Sequence, residues 1–177
     1  MFSKFRSAAV FCGSKPGSHP IFAQHAAALG SLLAKNDVTL VYGGGNSGLM
    51  GVVANEVLDN AGQVVGVMPD LLIRREFRHN RLTQLHVVED MHARKKLMYS
   101  LSEVVIILPG GLGTFDEMIE VMAWNSLSIH NKKIFIINSG GFFDFFIQQM
   151  KVLEQNGFLY SDASSALEVV DSPEQIF

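Results

Sequence analysis

Cysteine is nearly missing from this chain: Cys12 is the only one among 177 residues. An intramolecular disulfide is therefore impossible, and a reducing cytoplasm is the expected compartment. Charge is also sparse, at 18% of residues with a formal net charge of −3. That balance offers no electrostatic basis for binding nucleic acid or an anionic membrane. No apolar run reaches the roughly 18 residues of a membrane span. The opening MFSKFRSAAVFCG lacks the long apolar region of a signal peptide. The Gly-x-x-x-x-Gly-Lys-Ser/Thr element of a P-loop is absent. The six histidines and one cysteine show no metal-ligand spacing, so neither a metal nor another cofactor is expected. Repeats, low-complexity segments and linkers are lacking too. With 48% hydrophobic residues, the chain is expected to fold as one domain, 1–177, with a sizeable core.

What is present is alternation. Apolar runs at 8–12, 38–42, 63–69, 85–89, 103–109, 133–138 and 167–170 read as strands. Between them, 19–36, 48–61, 91–102, Thr114 to about His130, and 142–157 read as helices. Several strands are continuous apolar runs, the pattern of strands covered on both faces. The fold class expected is therefore α/β, with a parallel sheet between helices. The stretch 70–84, DLLIRREFRHNRLTQ, is too polar for core and reads as a loop or mobile flap.

Ligands of such folds bind at the carboxyl ends of the strands. Three glycine-bearing loops fall there: 12–18, 42–51 and 109–114. Glycine lets backbone approach a ligand, and the free N–H groups of a following helix start favour an anion. A phosphorylated ligand is the expectation. Gly43-x-Gly45-x-x-Gly48 matches the dinucleotide fingerprint formally, but the acid it requires has only Asp70 to supply it, rather late.

Glu117 has two readings. Thr114-x-x-Glu117 satisfies a capping box, a purely structural role. Arg94 argues for more. It lies on the stripe of Leu97, Met98 and Leu101, so it faces the core and needs an anionic partner unless it reaches past the edge into water. Lys95 falls at the edge of that stripe. Arg94, Glu117 and a phosphate-type loop therefore converge.

Pro109-Gly110-Gly111-Leu112-Gly113-Thr114-Phe115-Asp116-Glu117 matches PGGxGTxxE, and Asp90-Met91-His92-Ala93-Arg94-Lys95 matches DMHxRK. Tyr42-Gly43-Gly44-Gly45 with Gly48-Leu49-Met50-Gly51 matches YGGGxxGLMG, and Cys12-Gly13-Ser14 fits the first loop. In these motifs, over nearly its whole length, the chain resembles the LOG ("lonely guy") family of cytokinin-activating phosphoribohydrolases, many once labelled lysine decarboxylases. The resemblance implies a Rossmann-like, doubly wound, mainly parallel sheet and a homodimer. It implies hydrolysis of the N-glycosidic bond of a nucleoside 5′-monophosphate, AMP or an N6-modified AMP, to free base and ribose 5-phosphate. Carried over by position, Arg94 and Glu117 are catalytic. Glu76, Lys95, Gly110, Gly111, Leu112, Gly113 and Thr114 bind substrate, as do Ser14, Gly44 and Gly45 of the other two loops. No lysine carries a pattern that marks a pyridoxal phosphate Schiff base.

Two segments depart from the family pattern. Ala123-Trp124-Asn125-Ser126-Leu127-Ser128 replaces a TWxQLG-like run, which bears on base preference, and 76–84 lacks a small, acidic character. The alternative from another class is a binding protein for a phosphorylated ligand, like the molybdenum-cofactor carriers, which resemble this fold. The four phenylalanines at 142, 143, 145 and 146 cannot share one helical stripe. Either a second subunit covers some of them, or the helix is buried all round.

Overall fold

The computed structural model describes residues 5–73, 78–159 and 166–177. The strands are β1 (Ser7–Phe11), β2 (Thr39–Tyr42), β3 (Val64–Pro69), β4 (Gln84–Val88), β5 (Val104–Ile107), β6 (Lys133–Ile137) and β7 (Leu167–Val170). The helices are α1 (Pro20–Lys35), α2 (Gly48–Asp59), α3 (Asp70–Ile73), α4 (Met91–Leu101), α5 (Leu112–Ser126) and α6 (Asp144–Gln155). The strands form one sheet in the order β4-β3-β2-β1-β5-β6-β7, and every neighbouring pair is parallel. The expected Rossmann-like, doubly wound α/β sheet is the one observed.

Strand alternation divides the core in two. Ala8 and Val10 of β1 face α1 and α2, packing with Leu29, Leu33, Val53 and Val57. Ala9 and Phe11 face the other way, toward Met98 of α4 and Met118 and Val121 of α5. Both faces of the central strands are dry, so their sequences run apolar without a polar alternation.

Chain order decides where a ligand can sit. After β1 the chain runs outward through β2, β3 and β4, then returns to β5 beside β1 and runs outward the other way. The loops leaving β1 and β5 therefore diverge and open a crevice at the carboxyl ends of the two central strands.

Within the 70–84 stretch, residues 74–77 lie outside the described residues, and the parts on either side make definite contacts. The stretch contains α3, and Arg78 forms an antiparallel bridge with Gly45. His79 is buried; its N–H donates to Gly44 O at 3.0 Å, and its ring lies 3.1 Å from Asn55 Oδ1. Arg78 and His79 are thus clipped onto the second glycine loop, and the flap reading fails for these two residues.

Helix α5 is also shifted from 114–130. It starts two residues early, because Gly111 serves as its extended N-cap. It ends at Ser126 because Ser128 turns left-handed (φ 55), letting Ile129 N–H reach back to Trp124 O at 3.0 Å. The departure at 123–128 belongs to this turn: the Asn125 amide donates to Lys132 O at 2.8 Å and accepts from Lys132 N at 3.1 Å.

Candidate active site

The crevice between β1 and β5 is lined by loop backbone. Gly13 N–H donates to Pro109 O at 3.0 Å, joining the loops, and Gly13 O accepts from Leu49 N at 3.0 Å, docking the start of α2 on them. Two cavities open here and share Gly13, Ser14 and Gly111. One, about 210 Å3, also holds Cys12, Arg94, Thr114 and Glu117. The other, about 320 Å3, is more apolar, with Phe22, Leu49 and Phe142. Together they fall within the roughly 300–1,000 Å3 of small-molecule sites.

The N-terminus of α5 forms one wall of the smaller cavity. Its first-turn N–H groups have no acceptor within the helix, and Gly111 supplies no capping side chain. These donors, with the positive end of the helix dipole, make an anion cradle of Gly111, Leu112, Gly113 and Thr114. The same geometry removes the capping-box reading. Such a box joins the N-cap to the third helical residue, but here the N-cap is Gly111 and Thr114 is itself the third helical residue. Glu117 lies a turn further in, so capping does not account for it.

Glu117 is 9% exposed and its side chain reaches the cavity. Arg94 Nη1 is 4.0 Å from Glu117 Oε1. The guanidinium is held from behind: Nε donates to Val67 O at 3.1 Å and Nη2 to Gly43 O at 3.2 Å. The expected anionic partner of Arg94 is thus only part of the answer, since backbone carbonyls hold it more closely. Position 43 has to be glycine for this, because a Cβ there would collide with Arg94 Nη2. Burial pushes the Glu117 carboxyl up to about 7, against the opposing pull of Arg94. Asp116 and Glu120 push it further up and Lys95 opposes them. Burial, reinforced by the charge on Glu117, pushes the Cys12 thiol well above its ordinary range. It remains a protonated, poor nucleophile beside the carboxylate.

The other expected site residues divide. Ser14, Gly111, Leu112, Gly113 and Thr114 line the smaller cavity, and Gly110 lines the larger. Gly44 and Gly45 line neither; Gly44 (φ 82) and Gly45 instead anchor the 78–79 segment. Lys95 is buried, not at the edge of its helix, and its Nζ lies 3.0 Å from both Asp116 Oδ2 and Glu120 Oε1, away from the cavity lining. Glu76 lies outside the described residues. Ala123, Asn125 and Ser126 line neither cavity. Sequence reasoning passed over Met50, a cavity residue, and Tyr99, whose hydroxyl lies 3.2 Å from Glu117 O. Among the described residues, no three His, Cys, Asp or Glu side chains gather as a metal site requires.

Comparison with known proteins shows the family and the fold. A family model described as "Possible lysine decarboxylase" matches residues 50–177. The chain is 41% identical over 155 residues to the cytokinin riboside 5′-monophosphate phosphoribohydrolase of Rhodococcoides fascians, covering 87% of this chain and 78% of that one. It is 38% identical over 157 residues to the cytokinin riboside 5′-monophosphate phosphoribohydrolase LOG3 of Arabidopsis thaliana, covering 89% and 73%. Among solved structures, the molybdenum cofactor binding protein of Rippkaea orientalis superposes with a TM-score of 0.70 at 21% identity, covering 96% of this chain and 91% of that one. The molybdenum cofactor carrier protein of Chlamydomonas reinhardtii gives 0.72 at 16% identity, with the same coverage. At those identities the structural likeness speaks for the fold alone.

Proposed function

The chain belongs to the LOG family, and from that membership and the Arg94–Glu117 pair we propose that it hydrolyses the N-glycosidic bond of a nucleoside 5′-monophosphate, AMP or an N6-modified AMP. The products are the free base and ribose 5-phosphate. The observation that carries the reading is a carboxylate buried beside a guanidinium in a cavity walled by a helix N-terminus.

The 5′-phosphate sits on the N–H groups of Gly111 to Thr114, with Gly110 and Ser14 completing the cradle. Its binding energy holds C1′ near Glu117. As the C1′–N bond lengthens, positive charge develops on the ribose ring. The Glu117 carboxylate stabilises that charge or orients the water that attacks C1′. The electron pair of the broken bond leaves with the base, the water oxygen becomes the C1′ hydroxyl, and the proton the water gives up balances the one the base takes to leave as the neutral free base. Arg94 opposes the burial that raises the Glu117 pKa and so favours its carboxylate form. The larger, more apolar cavity gives the substrate room beyond the cradle. The carrier reading rests on fold likeness alone, and it leaves the Arg94–Glu117 pair without a task.

The test is incubation with a panel of nucleoside 5′-monophosphates, reading free base by chromatography. Turnover of AMP or its N6-substituted forms is expected. Adenosine at equal concentration should react about tenfold more slowly or worse, since the cradle has little to offer a neutral ribose. Equal rates would remove the phosphate from the argument. Ligand retained through purification with no turnover of any nucleotide would favour the carrier.

Residues 1–177 are read as one domain, active as a homodimer in a reducing cytoplasm. No helix among the described residues is long and apolar enough to cross a membrane. The dimer is supported by the phenylalanine cluster. Phe143 is fully buried, but Phe145 is 91% exposed, so this helix is not buried all round. Leu112, Leu127 and Ile129 are exposed as well. A second copy covering such residues is expected to give twice the chain mass by light scattering at micromolar concentration; the mass of a single chain would refute it.

A further inference from the structure

We propose that His79 is a positioning residue for the Arg94 guanidinium: as a neutral imidazole it latches the second glycine loop, so that the Gly43 carbonyl stays aimed at Arg94.

Three consecutive glycines cannot hold a carbonyl in place by themselves, because glycine backbone has the widest conformational choice of any residue. In Gly43-Gly44-Gly45 each carbonyl has its own donor. Gly43 O accepts from Arg94 Nη2 at 3.2 Å, Gly44 O from His79 N–H at 3.0 Å, and Gly45 O from the Tyr42 hydroxyl at 3.0 Å. Gly44 is left-handed, at φ 82, and its planar peptide bond with Gly43 sets where the Gly43 carbonyl points. Fixing Gly44 from the His79 side therefore fixes the anchor of Arg94 on the other.

The His79 ring holds this backbone contact in place. Its Nδ1 accepts from Arg81 N–H at 3.1 Å, which leaves the ring proton on Nε2, 3.1 Å from Asn55 Oδ1 of α2. The Asn55 amide in turn donates to Asn46 Oδ1 at 3.3 Å, inside the same glycine loop. One buried ring thus ties residues 79–81 and α2 to the loop at Gly44 and at Asn46. Both ring nitrogens are satisfied only in the neutral form. A proton on Nδ1 would face the Arg81 N–H, donor against donor. The charged groups facing the ring are Arg81 of its own segment and Asp59 of α2, paired with each other at 2.6 Å. Burial and then Arg81 disfavour the charged ring and Asp59 opposes them, so its pKa falls below the ordinary 6.5. The latch is closed at neutral pH and opens as pH falls below that value. Arg94 then keeps Val67 O, loses its hold on Gly43 O, and is no longer fixed 4.0 Å from Glu117.

The inference rests on Arg94 as a working group of the proposed hydrolase, but its first readout needs no turnover. The guanidinium N–H signals of Arg94 in NMR, assigned by their loss in Arg94→Lys, report by their exchange with water how firmly the group is held. At pH 8, His79→Ala is expected to speed that exchange about tenfold, as loss of one hydrogen-bonded anchor would. His79→Gln, which keeps a donor toward Asn55 and cannot titrate, should recover most of the protection. Glu117 ionises in a neighbouring range, so the acid titration is run in Glu117→Gln. There the Arg94 signals should shift as the His79 ring titrates, and adding His79→Gln should abolish the shift. On AMP, His79→Ala should lower kcat about tenfold with KM nearly unchanged, because Gly44 and Gly45 line neither cavity. If His79→Ala does not fold, the two acid titrations decide by themselves. The proposal is overturned if folded His79→Ala melts lower but leaves Arg94 exchange at the wild-type rate, or if the Arg94 signals ignore the His79 titration. Absence of AMP hydrolysis in the wild type would count against the hydrolase reading, and the NMR measurements would still decide the latch.

Discussion

Glu117→Gln is expected to lower kcat on AMP about 100- to 1000-fold, roughly 3–4 kcal/mol of barrier. The substitution is nearly isosteric and removes only the charge that faces the developing oxocarbenium ion. Wild-type kcat/KM should rise with pH and level off above about 7, where the buried carboxyl gives up its proton. Stability should move the opposite way. The folded state holds the Glu117 proton more tightly than the unfolded chain, with a pKa raised from 4.5 to about 7. Between those values it binds more protons, so this group's contribution to stability is present at low pH and lost as pH rises through about 7. Glutamine carries no such charge, so at pH 8 the variant should melt at or above the wild type, and near pH 5 the difference should shrink. Turnover close to normal in the folded variant would leave Glu117 without a chemical role.

Arg94→Ala should cost both activity and fold, which separates it from Glu117→Gln. Val67 O and Gly43 O each lose a donor, and Glu117 loses the cation beside it and must either hold an opposed buried charge or take up a proton. Breaking a buried pair from one side typically costs about 3–5 kcal/mol, which for a chain of this size corresponds to a melting point lower by roughly 10 °C. Glu117 should also titrate higher, so turnover at neutral pH is expected to fall about 1000-fold or more. Arg94→Lys keeps the charge but cannot span two carbonyls and a carboxylate as the planar guanidinium does. It should regain part of the stability and little of the rate. Normal melting and near-normal turnover in Arg94→Ala would make the guanidinium a bystander.

Much of this was legible in the chain. Continuous apolar runs such as AAVFC and VVII announce strands covered on both faces, and the strand and helix boundaries observed differ from those expected by a few residues. The position of Arg94 on an apolar helical stripe left two choices, a buried cation with a partner or a side chain reaching past the edge into water, and the first is observed. The PGGLGTFDE stretch tied an anion cradle to a carboxylate within a single segment. Local pattern is enough for these because burial period and helix-terminus chemistry depend only on neighbours in sequence.

Other features depended on residues far apart in the chain. Thr114-x-x-Glu117 reads as a capping box until Gly111 takes the N-cap position; only then is Glu117 placed inside the helix, facing the cavity. Lys95 reads as an edge residue until Asp116 and Glu120, some twenty positions away, close on it. His79 sits in a polar stretch, yet it is buried because Gly44 and Asn55 come to meet it. The sequence by itself determined the α/β class and the paired motifs, and it singled out Arg94 and Glu117 as two residues that share one cavity. Tertiary structure alone decided which charges face the cavity and which neutralise one another behind it, because burial and ion pairing are set by distance in space and not by spacing along the chain.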